Sequence, residues 1–150
     1  MREFKLYSLG TGNRTEDEFL GILKYYQVDI VADVRSYPNS ARLPHFRMDH
    51  LSEFLADHGI HYEFLGKELG GFRKGSYLSY MRTLDFQEGV TLLMDYGRQG
   101  NAVMLCAEVD PFHCHRRFIA QALKDKSVIV QHILGKDNVL EDNPQLDLFG

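Results

Sequence analysis

The sequence predicts an α/β fold: a single three-layer domain with a mainly parallel sheet of about five strands and helices on both faces. Two observations lead there. Short β-rich runs alternate with longer stretches of helical periodicity along most of the chain, the pattern of a parallel sheet covered by helices. The run "VDIVADVRS" is apolar with little alternation, as a strand buried on both faces should be.

Each element has its own signal. "FKLYSLG" reads as the first strand. Thr15 and Glu18 then form a Thr-x-x-Glu capping box opening "EDEFLGILKYY", where Phe19, Leu20, Ile22 and Leu23 supply an apolar face. "VDIVADVRS" is the second strand. Pro38 and Pro44 punctuate the loop before "MDHLSEFLADHG", a helix closed by Gly59. "IHYEFLG" is the third strand, and helical stretches around "SYLSYMR" and "FQEGVTLLMDYGRQG" lead to the fourth, "NAVMLCA". "PFHCHRRFIAQALKDK" predicts a helix with Pro111 in its first turn. "SVIVQHIL" is the fifth strand, after which periodicity stops. Residues 1–135 thus read as one α/β domain and 136–150 as a flexible acidic tail. Right-handed crossovers are expected throughout.

Composition narrows the class. With 150 residues, 44% hydrophobic and 25% charged, the chain suits one globular domain that needs no staple. Two cysteines make no disulfide framework, and no signal-peptide pattern or membrane-length apolar run is present. A cytoplasmic protein with no membrane partner is expected. The net charge of −4 argues against coating nucleic acid by bulk charge. Most of it sits in the tail, where Lys136 faces Asp137, Glu141, Asp142 and Asp147. "VRSYPNSARLPHFR" holds Arg35, Arg42, His45 and Arg47 with no acid, either a local positive loop or a solvated connection.

In open α/β sheets ligands bind beyond the carboxyl ends of the strands, so the residues following each strand are the candidates. After the first comes "GTGNRT", which lacks the third glycine of a dinucleotide fingerprint and reads better as a simple turn before a capped helix. The second strand ends on Asp33 and Arg35, a possible base or, more commonly, an ion pair. After the third, "LGKELGGFRKGSY" interleaves glycines with Lys67, Arg73 and Lys74, a pattern that suits phosphate as well as a surface loop. The fourth strand brings the densest cluster, "CAEVDPFHCHRR". Cys114 at a helix start beside His115 and Arg116 has the setting of a lowered thiol pKa. Glu108 adds a carboxylate, and Cys106 reads as a small core residue. A Cys and a His in adjacent elements also suit zinc. However, no C-x-x-C is present and there are only two thiols, so no metal site is expected and no cofactor is named.

The strand end "DVRS", the "LGKELGG" loop and the Cys-x-Glu-x-x-Pro-x-x-Cys-His-Arg pattern of "CAEVDPFHCHR" resemble the family catalogued as domain of unknown function 488. The resemblance runs from about the first strand to the fifth. It implies an α/β fold and a common site at those positions, and it brings no reaction with it.

The tail carries a second resemblance. "QLDLF", Gln145, Leu146, Asp147, Leu148 and Phe149, is similar to the pentapeptide by which bacterial replication and repair proteins dock on the DNA sliding clamp. Burying such apolar side chains contributes roughly 1.5–3 kcal/mol each before ordering costs, enough for a micromolar-class contact. The competing reading is a terminus clasped to its own domain.

Together these readings predict a nucleic-acid- or nucleotide-directed enzyme, a hydrolase or transferase, recruited to the sliding clamp. Glu108, Cys114, His115 and Asp33 are its candidate catalytic residues, and Arg35, Lys67, Arg73, Lys74 and Arg116 its phosphate-binding ones. The alternatives are a non-catalytic DNA- or nucleotide-binding module and a thiol-dependent enzyme of small metabolites.

Overall fold

The computed structural model describes residues 4–39 and 41–141. In chain order they form β1 (Lys5–Gly10), α1 (Glu16–Tyr25), β2 (Ile30–Asp33), α2 (Met48–Asp57), β3 (His61–Phe64), α3 (Gly66–Leu69), α4 (Tyr77–Tyr80), α5 (Leu84–Gln99), β4 (Ala102–Cys106), α6 (Arg116–Lys124), β5 (Ile129–Gly135) and β6 (Asn138–Glu141). Short 3-10 turns occupy Pro44–Phe46 and Pro111–His113.

The strands make one six-stranded sheet in the order β3-β2-β4-β1-β5-β6. The first five run parallel, and β6 pairs antiparallel with β5. The α/β expectation is therefore met, with one strand more than expected. Alternate residues of each inner strand enter opposite cores. On one face Phe19, Ile22 and Leu23 of α1 and Leu51 and Leu55 of α2 pack with Tyr7, Leu9, Val31, Val103 and Leu105. On the other, Phe86, Val90 and Leu93 of α5 and Ile119, Ala120 and Leu123 of α6 pack with Leu6, Ile30, Ala32, Met104 and Val130. Each large side chain so buried contributes on the order of 1.5–3 kcal/mol.

Two departures from the sequence reading have local causes. The segment "PFHCHRRFIAQALKDK" is not one helix. Asp110 caps the 3-10 turn by accepting from the Phe112 amide at 2.9 Å, Cys114 is extended (φ −136°, ψ 151°), and α6 begins only at Arg116. And Asn138–Glu141, placed in the tail by the sequence reading, is a strand. Gly135 pairs with Asn138 across Lys136 and Asp137, the two-residue connection of a β-hairpin.

The strand order also fixes where a ligand crevice lies. β1 and β4 are neighbours, yet the chain leaving β1 goes through α1 toward β2 and the chain leaving β4 goes through α6 toward β5. Connections departing to opposite sides of adjacent strands leave a gap above their carboxyl ends.

Candidate functional site

A cavity of about 900 Å³ opens at that gap. Its wall is drawn from the ends of four strands: Thr11–Asn13 after β1, Arg35–Pro38 after β2, Gly71 and Phe72 beyond β3, and the stretch from Cys106 to Asp110 after β4, with His113, Cys114 and His115. The floor is tied together by backbone bonds. Thr11 and Gly12 donate to the carbonyls of Cys106 and Ala107 at 2.8 and 2.9 Å. Gly10 allows this approach, since a Cβ there would collide with the Glu108 carbonyl. The "GTGNRT" amides are thus mostly engaged. The Thr15 amide donates to Glu18 at 2.8 Å and the Glu18 amide to Thr15 at 3.1 Å, completing the capping box and the simple turn expected there.

Asp33 and Arg35 form a buried ion pair. Arg35 donates from Nε to Oδ1 at 2.9 Å and from Nη2 to Oδ2 at 2.8 Å, and its amide reaches Oδ1 at 3.1 Å. Tyr62 donates its hydroxyl to Oδ2 at 2.6 Å. Burial first, and then the Asp33 charge, push the Tyr62 phenol well above its ordinary pKa. A carboxylate accepting four donors has little capacity left to act as a base, so the geometry gives Asp33 a positioning role. It aims Arg35, which still lines the cavity.

The motif after β4 converges on His115. Its Nε2 lies 3.0 Å from the Val34 carbonyl, and since a carbonyl only accepts, Nε2 carries the hydrogen. Nδ1 then presents its lone pair to Cys114 Sγ at 3.6 Å and Cys106 Sγ at 3.9 Å. Burial pushes the His115 pKa below its ordinary value, which favours the neutral ring. Tyr77 packs edge-on against it, with centroids 5.5 Å apart. Cys106 and Cys114 are joined as a disulfide. No pairing follows from the sequence, where Cys106 reads as a core residue. The strand end and the extended Cys114 bring both sulfurs to one side of His115. In this state neither sulfur is a free thiol, and only reduction would release one. Glu108 stands exposed on the cavity wall.

The cations of the "LGKELGGFRKGSY" loop do not gather there: Lys67, Arg73 and Lys74 do not line the cavity. Arg73 donates to the carbonyls of Gly70 and Lys67 at 3.0 and 2.6 Å and lies 3.9 Å over the Tyr80 ring, tying the end of α3 to α4. The glycines serve packing. A Cβ on Gly66 would strike Arg35, one on Gly70 would strike Ser36, and one on Gly71 would come within 2.9 Å of His115 Nδ1. Arg116 is fully buried, donating from Nη2 to the Val109 carbonyl at 2.7 Å. Its Nε and Nη1 meet no protein partner among the described residues. Burial pushes its pKa down to about 10. It supports the 108–110 loop from beneath instead of lining the cavity. Gln145, Leu146, Asp147, Leu148 and Phe149 lie outside the described residues.

The sequence reading misses Tyr37 and Phe72. They face each other at the rim with centroids 5.7 Å apart, and are 74% and 76% exposed. The available signal is an aromatic residue in the Pro-containing loop after β2 and another in the Gly-rich segment that follows α3. Arg42 joins them on the wall, donating to Asn13 Oδ1 at 2.6 Å. No helix among the described residues is long and apolar enough to cross a membrane.

Among known families, the model described as "Domain of unknown function DUF488" matches residues 15–123, more than half of the chain and all of the cavity wall except the turn after β1. No curated protein and no solved structure matches.

Proposed function

Because the chain belongs to the DUF488 family, which brings no reaction with it, we propose a function from the site itself: an enzyme acting on a nucleotide unit, free or within a single strand. The observation that carries this reading is the Tyr37–Phe72 pair. Phenylalanine is most often buried and tyrosine partly so, yet here both rings stand exposed at the rim of a cavity whose wall holds Arg35 and Arg42. Stacking on aromatic faces is worth roughly 1–3 kcal/mol per base, while arginine receives the phosphate. Glu108 is the carboxylate placed to move a proton, in a hydrolase or transferase reaction. The "QLDLF" tail would deliver the site to DNA through the sliding clamp.

Titration with mononucleotides and with a labelled single-stranded oligonucleotide tests it. Tyr37→Ala with Phe72→Ala should weaken binding at least ~10-fold, as expected from loss of stacking, with an unchanged unfolding midpoint because both rings are exposed. Equal affinity of the wild type and this double variant would remove the reading. Glu108→Ala separates enzyme from binding module: turnover lost with affinity kept supports the enzyme, and unchanged turnover excludes Glu108 as its base.

A further inference from the structure

We propose that Cys106, Cys114 and His115, with both thiols reduced, form a zinc-class metal site whose fourth position faces the cavity. The inference goes beyond the nucleotide reading and stands or falls without it.

The donors are close enough and of the right kind. One ligand atom from each residue lies within 4.8 Å of the other two. Two sulfurs and one imidazole nitrogen are a soft set that suits zinc and disfavours magnesium or calcium. Zinc bonds of ~2.3 Å to sulfur and ~2.05 Å to nitrogen at tetrahedral angles put sulfur and nitrogen ~3.6 Å apart and the two sulfurs ~3.8 Å apart. The distances from Nδ1 to the sulfurs are 3.6 and 3.9 Å. The Cα atoms of Cys106 and Cys114 stand 7.7 Å apart, beyond the ~4.4–6.8 Å usual for a disulfide. The backbone therefore leaves room for the reduced sulfurs to part around an ion.

The surroundings orient the ligands. Nε2 of His115 is held by the Val34 carbonyl at 3.0 Å, the outer bond that commonly fixes the tautomer of a metal-binding histidine. Gly71 leaves the ring its place, because a Cβ there would press on Nδ1. Charge agrees as well. Cys106 and Cys114 are 3% and 9% exposed, and two bare thiolates so placed would lose most of their solvation. Two thiolates, a neutral imidazole and a divalent ion sum to zero. With three protein ligands, all of which line the cavity, the ion keeps a fourth position toward whatever the cavity holds.

The test uses the full chain, reduced with a phosphine and freed of metal, then titrated with zinc or cobalt(II). One ion per chain is expected. Cobalt should give tetrahedral visible bands and a thiolate-to-cobalt charge-transfer band in the near ultraviolet. Cys106→Ser, Cys114→Ser and His115→Ala should each weaken zinc binding more than ~100-fold, above the loss typical of outer-shell changes, and Gly71→Ala should weaken it within that ~10–100-fold range. Zinc should also protect both thiols of the unmodified chain from alkylation, a readout that needs no variant to fold. The proposal is overturned if the reduced chain binds no more metal than the double Cys→Ser variant. A cobalt spectrum without charge transfer, thiols unprotected by zinc, or a pair that stays oxidised under the phosphine would each overturn it too.

Discussion

Asp33 illustrates how a residue at a strand end acquires a role from its neighbours. It is fully buried, and its two oxygens accept from the Arg35 amide and guanidinium and from Tyr62. Asp33→Asn would leave the Arg35 charge buried beside a neutral amide. Breaking a buried pair from one side costs about 3–5 kcal/mol, so denaturant unfolding should show a loss of that order, and a loss below about 1 kcal/mol would mean that water already solvates the pair. The position of Asp33 and Arg35 at the sheet mouth is legible in the sequence, because a strand followed by a loop is a local signal. The engagement of Asp33 is not, because Tyr62 comes from the neighbouring strand and only the register of β2 on β3 brings it near. Cys106 is the same case: its local context is that of a core strand, and its partners Cys114 and His115 are set by where the chain turns after β4. Arg73 shows the reverse, a cation with a phosphate-like context whose donors are taken by nearby carbonyls.

At the scale of elements, signals complete within a few residues read correctly. The Thr15–Glu18 box is one, with both bonds present. The Glu18 carboxyl is held below its ordinary pKa, first by the Thr15 backbone amide and then by its hydroxyl. Because the folded pKa is the lower one, this support is present above the ordinary carboxylate range and fades as the pH falls through the lowered value. Thr15→Ala should cost roughly 1 kcal/mol, the usual worth of such a cap. The loss should be measured by chemical unfolding at neutral pH and should shrink in acid; a loss as large in acid would show that the box does not respond to the carboxylate. Elements whose signals are weak were misplaced. The start of α6 slips to Arg116 because Asp110 closes a 3-10 turn and Cys114 extends, which brings the Cys114 sulfur beside His115. β6 was missed because its turn, Lys136-Asp137, carries none of the Asn-Gly chemistry that marks hairpins, and its strand is only four residues long.

The whole molecule adds what no segment holds: the order β3-β2-β4-β1-β5-β6, hence the place where the chain leaving β1 and the chain leaving β4 pass to helices on opposite faces of the sheet and the cavity opens. Alternation of strands and helices predicts the class and the mouth of the sheet, but not which strands adjoin, since parallel pairing joins residues far apart in sequence. The same topology separates two parts of the last fifteen residues. Removing 144–150 takes away "QLDLF" and no described residue, whereas removing 138–150 also takes β6 and uncovers the backbone edge of β5. An uncovered edge invites pairing with another chain. The shorter truncation should therefore keep the unfolding midpoint and lose binding to a purified sliding clamp. The longer one should lower the midpoint and promote self-association, followed by thermal unfolding and light scattering. A shorter truncation that lowers the midpoint as much as the longer one would mean that Leu148 and Phe149 support the domain itself. Clamp binding that survives it would place the docking element elsewhere in the chain.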